Sequence, residues 1–337
     1  MRASVRTLTL FVVIALSCAL AGVARADTGP APCRSFSIAI PQGRLGATLC
    51  APASATTVLV LMAGSNYNGT YWDFAYQPQI YNFREAMNRA GYATLVVDRL
   101  GNGSSSHPPA LTLNAANTSE PLHDIVRSLR HGLAGAAPFA RVVTAGHSLS
   151  SGTSVMEASK YHDVDAVVLT GYSHALNVAE TLGVISTYHR AVDDPVFAGS
   201  GLDAGYLTTR PGTRMHDFFA PGDADPAVVA RDERTKEVFS LTEYPDSLLS
   251  TLPGMSSEID VPVLIVDGSL DRLSCGAGYS ACTSSATLRA EEAPYFAPAA
   301  RLQTFVLPGS GHSVNLARNT GMYQNVVLSW LNSTVGH

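Results

Sequence analysis

The chain has 337 residues, 46% of them hydrophobic and 15% charged, with a formal net charge of −5. This excludes a disordered or fibrous polypeptide and is enough for one substantial core or two smaller ones. A mildly acidic chain with no run of Lys or Arg is also a poor match for nucleic acid, which is bound through a basic patch.

The first element is a leader. "MRASVR" supplies Arg2 and Arg6, "TLTLFVVIALSCALAGV" is apolar, and Ala24-Arg25-Ala26 is a small-x-small cleavage signature, so residues 1–26 read as a secretory signal peptide. A transmembrane anchor is the rival reading, but Ser, Cys and Gly interrupt the run, which is short against the roughly 20 strongly apolar residues of a span. Lipid attachment at Cys18 is a second rival, for which Leu16 is poorly suited. The expectation is a chain secreted, or exported to a periplasm-type space, without a stable membrane anchor. Cleavage after Ala26 removes Arg2, Arg6 and Arg25 and no acid, so the mature chain is more acidic than the whole.

Cleavage also removes Cys18 and leaves Cys33, Cys50, Cys275 and Cys282. An even set in an exported chain reads as disulfides. Pairing by proximity, Cys33 with Cys50 and Cys275 with Cys282, is favoured over a zinc site, because the spacings are not those of paired C-x-x-C ligands. No metal and no cofactor is expected.

"SFSIAI" and "GATLCAP" predict an opening antiparallel pair, and "TTVLVLMAG", "YATLVVDR" and "ARVVTAGHS" are continuous apolar runs of strand type. Helical segments lie between them, around "YNFREAMNRAG" and "PLHDIVRSLRHGLAG". Strands apolar on both faces and separated by helices indicate an α/β fold with a mostly parallel sheet covered on both sides. "DAVVLTGY", "VPVLIVDG" and "RLQTFVLPG" continue the series, and "NTGMYQNVVLSWLNS" closes it as a helix. Residues 173–260 break the rhythm: they hold no obvious buried strand yet carry Tyr188, Phe197, Tyr206, Phe218, Phe219, Phe239 and Tyr244. So long a structureless loop is out of place in a compact domain. The expected organisation is a core over 27–172 and 261–337 with a helical cap inserted at 173–260; a peripheral insertion whose aromatics pack on one another is the alternative.

"VVTAGHSLSSG" places Ser148 where a strand turns into a helix. Serine is a favoured helix cap, but Gly146-His147-Ser148-Leu149-Ser150 is also close to the G-x-S-x-G of a nucleophile elbow, whose tight turn needs small flanking residues. Ser150 stands where the second glycine would be. Downstream, "VPVLIVDGSLDRLSC" puts Asp271 past a buried strand and "LQTFVLPGSGHSVN" puts His312 past the next. Asp267 competes with Asp271 as the acid but lies within or at the end of its strand. His147, His107 and Asp98 read as structural.

Ser, Asp and His in this order, each at the carboxyl end of a strand, resemble the α/β-hydrolase-fold serine hydrolases. The resemblance spans essentially all of the mature chain. "VLVLMAGSNYNGTYWDF" is similar to the family's strand and oxyanion loop, with Gly64 matching and Ala63 where histidine is common, and "VVDRLGNGSSSHP" is similar to its Asp-Arg-x-Gly-x-Gly-x-Ser stretch. It implies Ser148 as nucleophile, His312 as general base and acid, Asp271 as its orienting partner, and the backbone N–H groups of Leu149 and Ser65 as the oxyanion hole. A serine nucleophile disfavours the members that use Asp, and the glycines of "GNGSSS" lack the Lys of a phosphate loop. The expected activity is hydrolysis of carboxylic esters or lactones of an apolar acid or alcohol, with no nucleic-acid partner. A peptidase or amidase, a biosynthetic thioesterase or acyltransferase, and a non-catalytic binding protein are the alternatives. The sequons at Asn68, Asn102, Asn117 and Asn332 matter only in a glycosylating host. Oligomeric state has no signature in the sequence.

Overall fold

The computed structural model describes residues 30–114 and 116–337, apart from the side chains at 116–118, 246 and 247. The segment 1–26, expected to be a leader, and the side chain of Asn117 lie outside the described residues. The chain opens with β1 (Cys33–Ile40) and β2 (Gly43–Cys50), paired antiparallel with Cys33 opposite Cys50, and a disulfide joins these two residues. Then follow β3 (Thr57–Met62), α1 (Pro78–Tyr81), α2 (Phe83–Arg89), β4 (Ala93–Val97) and α3 (Ala116–His131). β5 (Arg141–His147), α4 (Leu149–Tyr161) and β6 (Ala166–Thr170) complete the first half. Every residue of β3, β4 and β6 is buried, as strands covered on both faces require.

The stretch 173–260 is not wholly helical. It contains α5 (Val178–Ser186), β7 (Tyr188–Arg190), β8 (Tyr206–Thr209), α6 (Arg214–Phe218), α7 (Pro226–Arg234), β9 (Phe239–Ser240) and α8 (Tyr244–Leu249). Its strands are too short to show an alternating pattern, which is why the sequence points only to helices there. The chain closes with β10 (Val263–Gly268), α9 (Ser285–Glu292), β11 (Gln303–Leu307) and α10 (Thr320–Thr334).

Among the described residues the strands form an eight-stranded sheet, in the order β1-β2-β4-β3-β5-β6-β10-β11, and a three-stranded sheet, β7-β8-β9. From β4 to β11 the large sheet is parallel. Side chains alternate across it: Val58 and Val60 pack with Ile125, Leu129 and Val155 on one face, Leu59 and Leu61 with Phe83, Tyr323 and Leu331 on the other. β4 and β5 flank β3 on opposite sides, so the strand order reverses there, at the place where open α/β sheets build their sites.

One glycine fixes how tightly β5 meets α4. A Cβ on Gly146 would stand 2.3 Å from the Ser150 carbonyl oxygen and 2.4 Å from the Ser151 nitrogen, both helix backbone. Gly146→Ala is expected to lower stability by at least about 1–3 kcal/mol through overpacking. Gly183→Ala on α5, where an added Cβ meets nothing within 4 Å, is expected to be neutral or to stabilise by about 0.5–1 kcal/mol. Urea denaturation of the two variants beside the parent chain checks the contrast.

Candidate active site

Ser148 joins β5 to α4 with φ 54° and ψ −122°, a conformation that costs a non-glycine residue about 1–3 kcal/mol. Its backbone N–H donates to the Thr170 carbonyl at 2.8 Å, and its side chain makes no capping bond to the helix. The hydroxyl is therefore not spent on α4, and Ser148 lines a cleft with Ser65, Leu149 and His312. Ser150, in the place of the second glycine, is fully buried and donates its hydroxyl to the Ala63 carbonyl at 2.6 Å. The two departures from the family pattern thus meet in one hydrogen bond between the elbow and the loop after β3.

That loop is pressed against the elbow. A Cβ on Gly64 would lie 2.7 Å from Ser148 Cβ and 2.8 Å from the His147 carbonyl oxygen. The Arg99 guanidinium donates to the carbonyls of Ala63 at 3.2 Å and Gly64 at 3.3 Å while ion-paired, fully buried, with Glu243. Among the described residues no chain acceptor takes up the backbone N–H of Ser65 or of Leu149. Both residues border the space above Ser148, so both are free to serve a developing oxyanion.

His312 Nδ1 stands 2.8 Å from Asp271 Oδ2, with His312 3% exposed and Asp271 fully buried. The other Asp271 oxygen accepts from the backbone N–H groups of Leu273 at 2.8 Å and Ser274 at 3.1 Å, which holds the carboxylate in one orientation. The disulfide Cys275–Cys282 follows directly. Asp267 points elsewhere: its Oδ1 accepts from the Tyr172 N–H at 2.9 Å, and burial, followed by the charges of Asp271 and Glu292, pushes its carboxyl well above the usual range. His147 is fully buried and stacks on Tyr71 at 4.2 Å; burial, then the His312 charge, keeps it neutral. Asp98 accepts from the Gly69 N–H at 2.8 Å and from the Ser104 N–H and hydroxyl, tying two loops together. His107 lies 6.1 Å from the Tyr206 ring, and burial lowers its pKa.

The residues that hold these loops were not visible in the sequence. Asn66 takes a left-handed conformation, φ 60°, and pairs with residue 237 almost as an extra strand: the Glu237 N–H donates to its carbonyl at 3.0 Å, and its side chain donates to the Glu237 carbonyl at 3.1 Å. Arg214 donates to the same Asn66 carbonyl at 3.2 Å, is fixed by Asp232 and covers the Tyr67 ring at 4.3 Å. On the histidine side, Asp223 accepts from the Gly311 N–H at 2.8 Å, and the Ser313 N–H donates to the Phe218 carbonyl at 3.0 Å. Each pair joins residues far apart in the chain, with no local motif to mark it. Of the sequons, Asn102 is buried and donates to the Val238 carbonyl, Asn68 is bonded to Glu237, and Asn332 is exposed.

The cleft has room for about 80 Å³ of solvent and is partly open. Its walls include Leu149, Val184, Ile185, Phe218, Phe239, Leu248 and Leu273 together with the hydroxyl-bearing Ser173, Thr181, Ser250, Thr251 and Ser274, and no Asp, Glu, Lys or Arg lines it among the described residues.

The profile of the "Alpha/beta hydrolase family" matches residues 59–323, from within β3 into α10. The chain belongs to this family. A comparison with curated proteins finds no match. Among solved structures, this hydrolase is similar to a thermophilic esterase from Thermogutta terrifontis, with 16% identity, TM-score 0.58 and coverage of 89% of this chain and 99% of that one. It is also similar to a soluble variant of the monoglyceride lipase of Saccharomyces cerevisiae, with 15% identity, TM-score 0.64 and coverage of 92% and 97%. For the carboxylesterase CesB of Bacillus subtilis the figures are 17%, 0.55, 88% and 91%. At these identities the likeness is one of fold.

The two aspartates give a paired expectation. Asp271→Asn is expected to cost about ten-thousandfold in turnover, as in the analogous serine-protease change, and Asp267→Asn less than about tenfold. Asp267 has a further signature. Unfolded, it ionises near pH ~4; folded, it keeps its proton well above that, so it lowers stability progressively as pH rises through that interval. The melting temperature of Asp267→Asn should therefore exceed that of the parent chain by more at pH 8 than at pH 4, as calorimetry at the two pH values would show.

Proposed function

We propose that this α/β hydrolase is an exported serine esterase that cleaves carboxylic esters or lactones of apolar substrates. The observation that carries the reading is the cleft: an uncharged, mostly apolar space with Ser148 and His312 on its border. Such walls favour a neutral acyl or alkoxy group and offer hydroxyls but no opposite charge to a charged one. The fold likeness to an esterase, a carboxylesterase and a monoglyceride lipase supports ester bonds as the substrate. The two disulfides support export to an oxidising space.

In this reading Ser148 Oγ attacks the acyl carbon as His312 Nε2 takes its proton. Asp271 accepts the Nδ1 hydrogen, fixing the tautomer and stabilising the imidazolium. The carbonyl oxygen, now negative, is held by the N–H groups of Leu149 and Ser65. Collapse of the tetrahedral adduct sends the proton from His312 to the leaving alcohol and leaves an acyl-Ser148 ester. Water, deprotonated by the same histidine, attacks that ester and releases the acid.

Aryl esters from acetyl to long-chain acyl test this. Turnover should be strong on apolar acyl groups, weak on acyl groups bearing a carboxylate or an ammonium, and reduced at least about 10⁴-fold by Ser148→Ala with the fold intact. Amide cleavage beyond what the ester rates predict would favour a peptidase. Turnover confined to a specialised acyl donor and acceptor would favour a transferase. Hydrolysis unaffected by Ser148→Ala would overturn the reading.

A further inference from the structure

Near the far end of α4 from Ser148, three side chains with metal-binding atoms meet that the esterase reading does not use. They are His123 on α3, Glu157 on α4 and Asp163 in the turn before β6, and one ligand atom from each lies within 4.8 Å of the others. Glu157 is fully buried, and its carboxylate oxygens meet no donor of the chain; the group beside them is the Asp163 carboxyl, which can hydrogen-bond to Glu157 only if one of the two is protonated. Buried carboxylates are normally paired or bound to a cation, so an orphan of this kind calls for a ligand. His123 Nδ1 comes within 2.7 Å of Asp163 Oδ2, yet neither that nitrogen nor either Asp163 oxygen has an aligned hydrogen-bond partner. For both atoms to bind one tetrahedral zinc at about 2.0–2.1 Å they would have to move apart to about 3.3 Å.

The surroundings fix these donors. The His123 ring stacks on Tyr161 with centroids 3.8 Å apart and planes within 10°. His162, at φ 51°, ends α4 in a left-handed turn that places Asp163 beside the helix it follows, and the Arg130 guanidinium holds the Asp163 carbonyl at 2.8 Å. These contacts fix the His123 ring and the backbone at Asp163.

We propose that His123, Glu157 and Asp163 bind a divalent transition-metal ion of the zinc type. One imidazole and two carboxylates form a mixed nitrogen and oxygen set suited to Zn²⁺, with water as fourth ligand, whereas Ca²⁺ and Mg²⁺ prefer oxygen alone. The side chains of His123 and Asp163 are 21% and 24% exposed, so the cluster lies just beneath the surface, with its donor atoms themselves buried. Along α4 the site lies about 13 Å from Ser148 at 1.5 Å per residue, so the ion joins α3, α4 and the turn before β6 and takes no part in acyl transfer. This departs from the sequence reading, which expects no metal: His123, Glu157 and Asp163 follow no ligand spacing. The competing occupant is a proton shared by the two carboxyls, because burial beside Asp163 pushes Glu157 up to about 9 in the metal-free chain.

The test uses the untagged chain, stripped with chelator and titrated with Zn²⁺ by calorimetry, beside Glu157→Gln and His123→Ala. The expected result is one equivalent bound, a melting temperature raised by zinc, and binding at least about tenfold weaker in both variants. Ester turnover of Glu157→Gln should match the parent, which shows that the variant is folded and separates this proposal from the esterase reading. Co²⁺ in place of zinc should give visible absorption that is lost in Glu157→Gln. No saturable binding by the parent chain, or undiminished binding and stabilisation in Glu157→Gln, would overturn the proposal and leave the shared proton as the occupant.

Discussion

A strand that passes into a helix through a single residue leaves little room, and the candidate site is built around that shortage. Ser148 adopts positive φ because β5 and α4 allow nothing else between them, and Gly146 has no space for a side chain. The strain, about 1–3 kcal/mol, is offset by hydrogen bonds that close on the turn, each worth about 1 kcal/mol net. Ser148 donates to the Thr170 carbonyl, and the Ser151 hydroxyl both donates to that carbonyl and accepts the Thr170 N–H. Ser150 adds the bond to Ala63. A glycine at 150 would have eased the turn but could not have reached the neighbouring loop, and a histidine at 63 would have brought its own side chain. The pair found here holds the same two segments together by a different means.

The segment at 173–260, the expected cap, acts as a clamp. Residues 207–243 reach the loop after β3 through Asn66, Arg214, Glu237 and the buried Arg99–Glu243 pair, while Asp223 and Phe218 reach the loop that carries His312. Several of these groups are charged and almost wholly buried, so separating them without replacement would leave uncompensated charge in the interior. Both halves of the candidate site are bonded to this one segment, and its apolar residues also form much of the cleft wall. Shape and chemistry are thereby coupled: a change in this segment that reshapes the pocket also acts on the donors expected to hold an oxyanion.

How much of this was legible follows from sequence distance. The mostly parallel sheet was readable because each buried strand announces itself by a local apolar run. Ser148, Asp271 and His312 were picked out because each sits just past such a run, and in the structure Asp271 contacts His312 while Asp267 turns to the Tyr172 N–H. Pairing across long separations left no trace. Asn66 meets Glu237 across 171 positions, and Asn102 meets Val238 across 136. β7, β8 and β9 are too short for periodicity to register, and the mixed His123, Glu157 and Asp163 cluster depends on how α3 packs against α4.

The account rests on Ser148 being the group that takes up the acyl carbon. Reacting the purified chain with a fluorophosphonate and locating the adduct by mass spectrometry tests that most directly. One equivalent of label on Ser148, with ester hydrolysis falling in proportion to its occupancy, is the result the account requires. Label on a different residue, or full hydrolysis by a chain whose Ser148 is completely blocked, would contradict it.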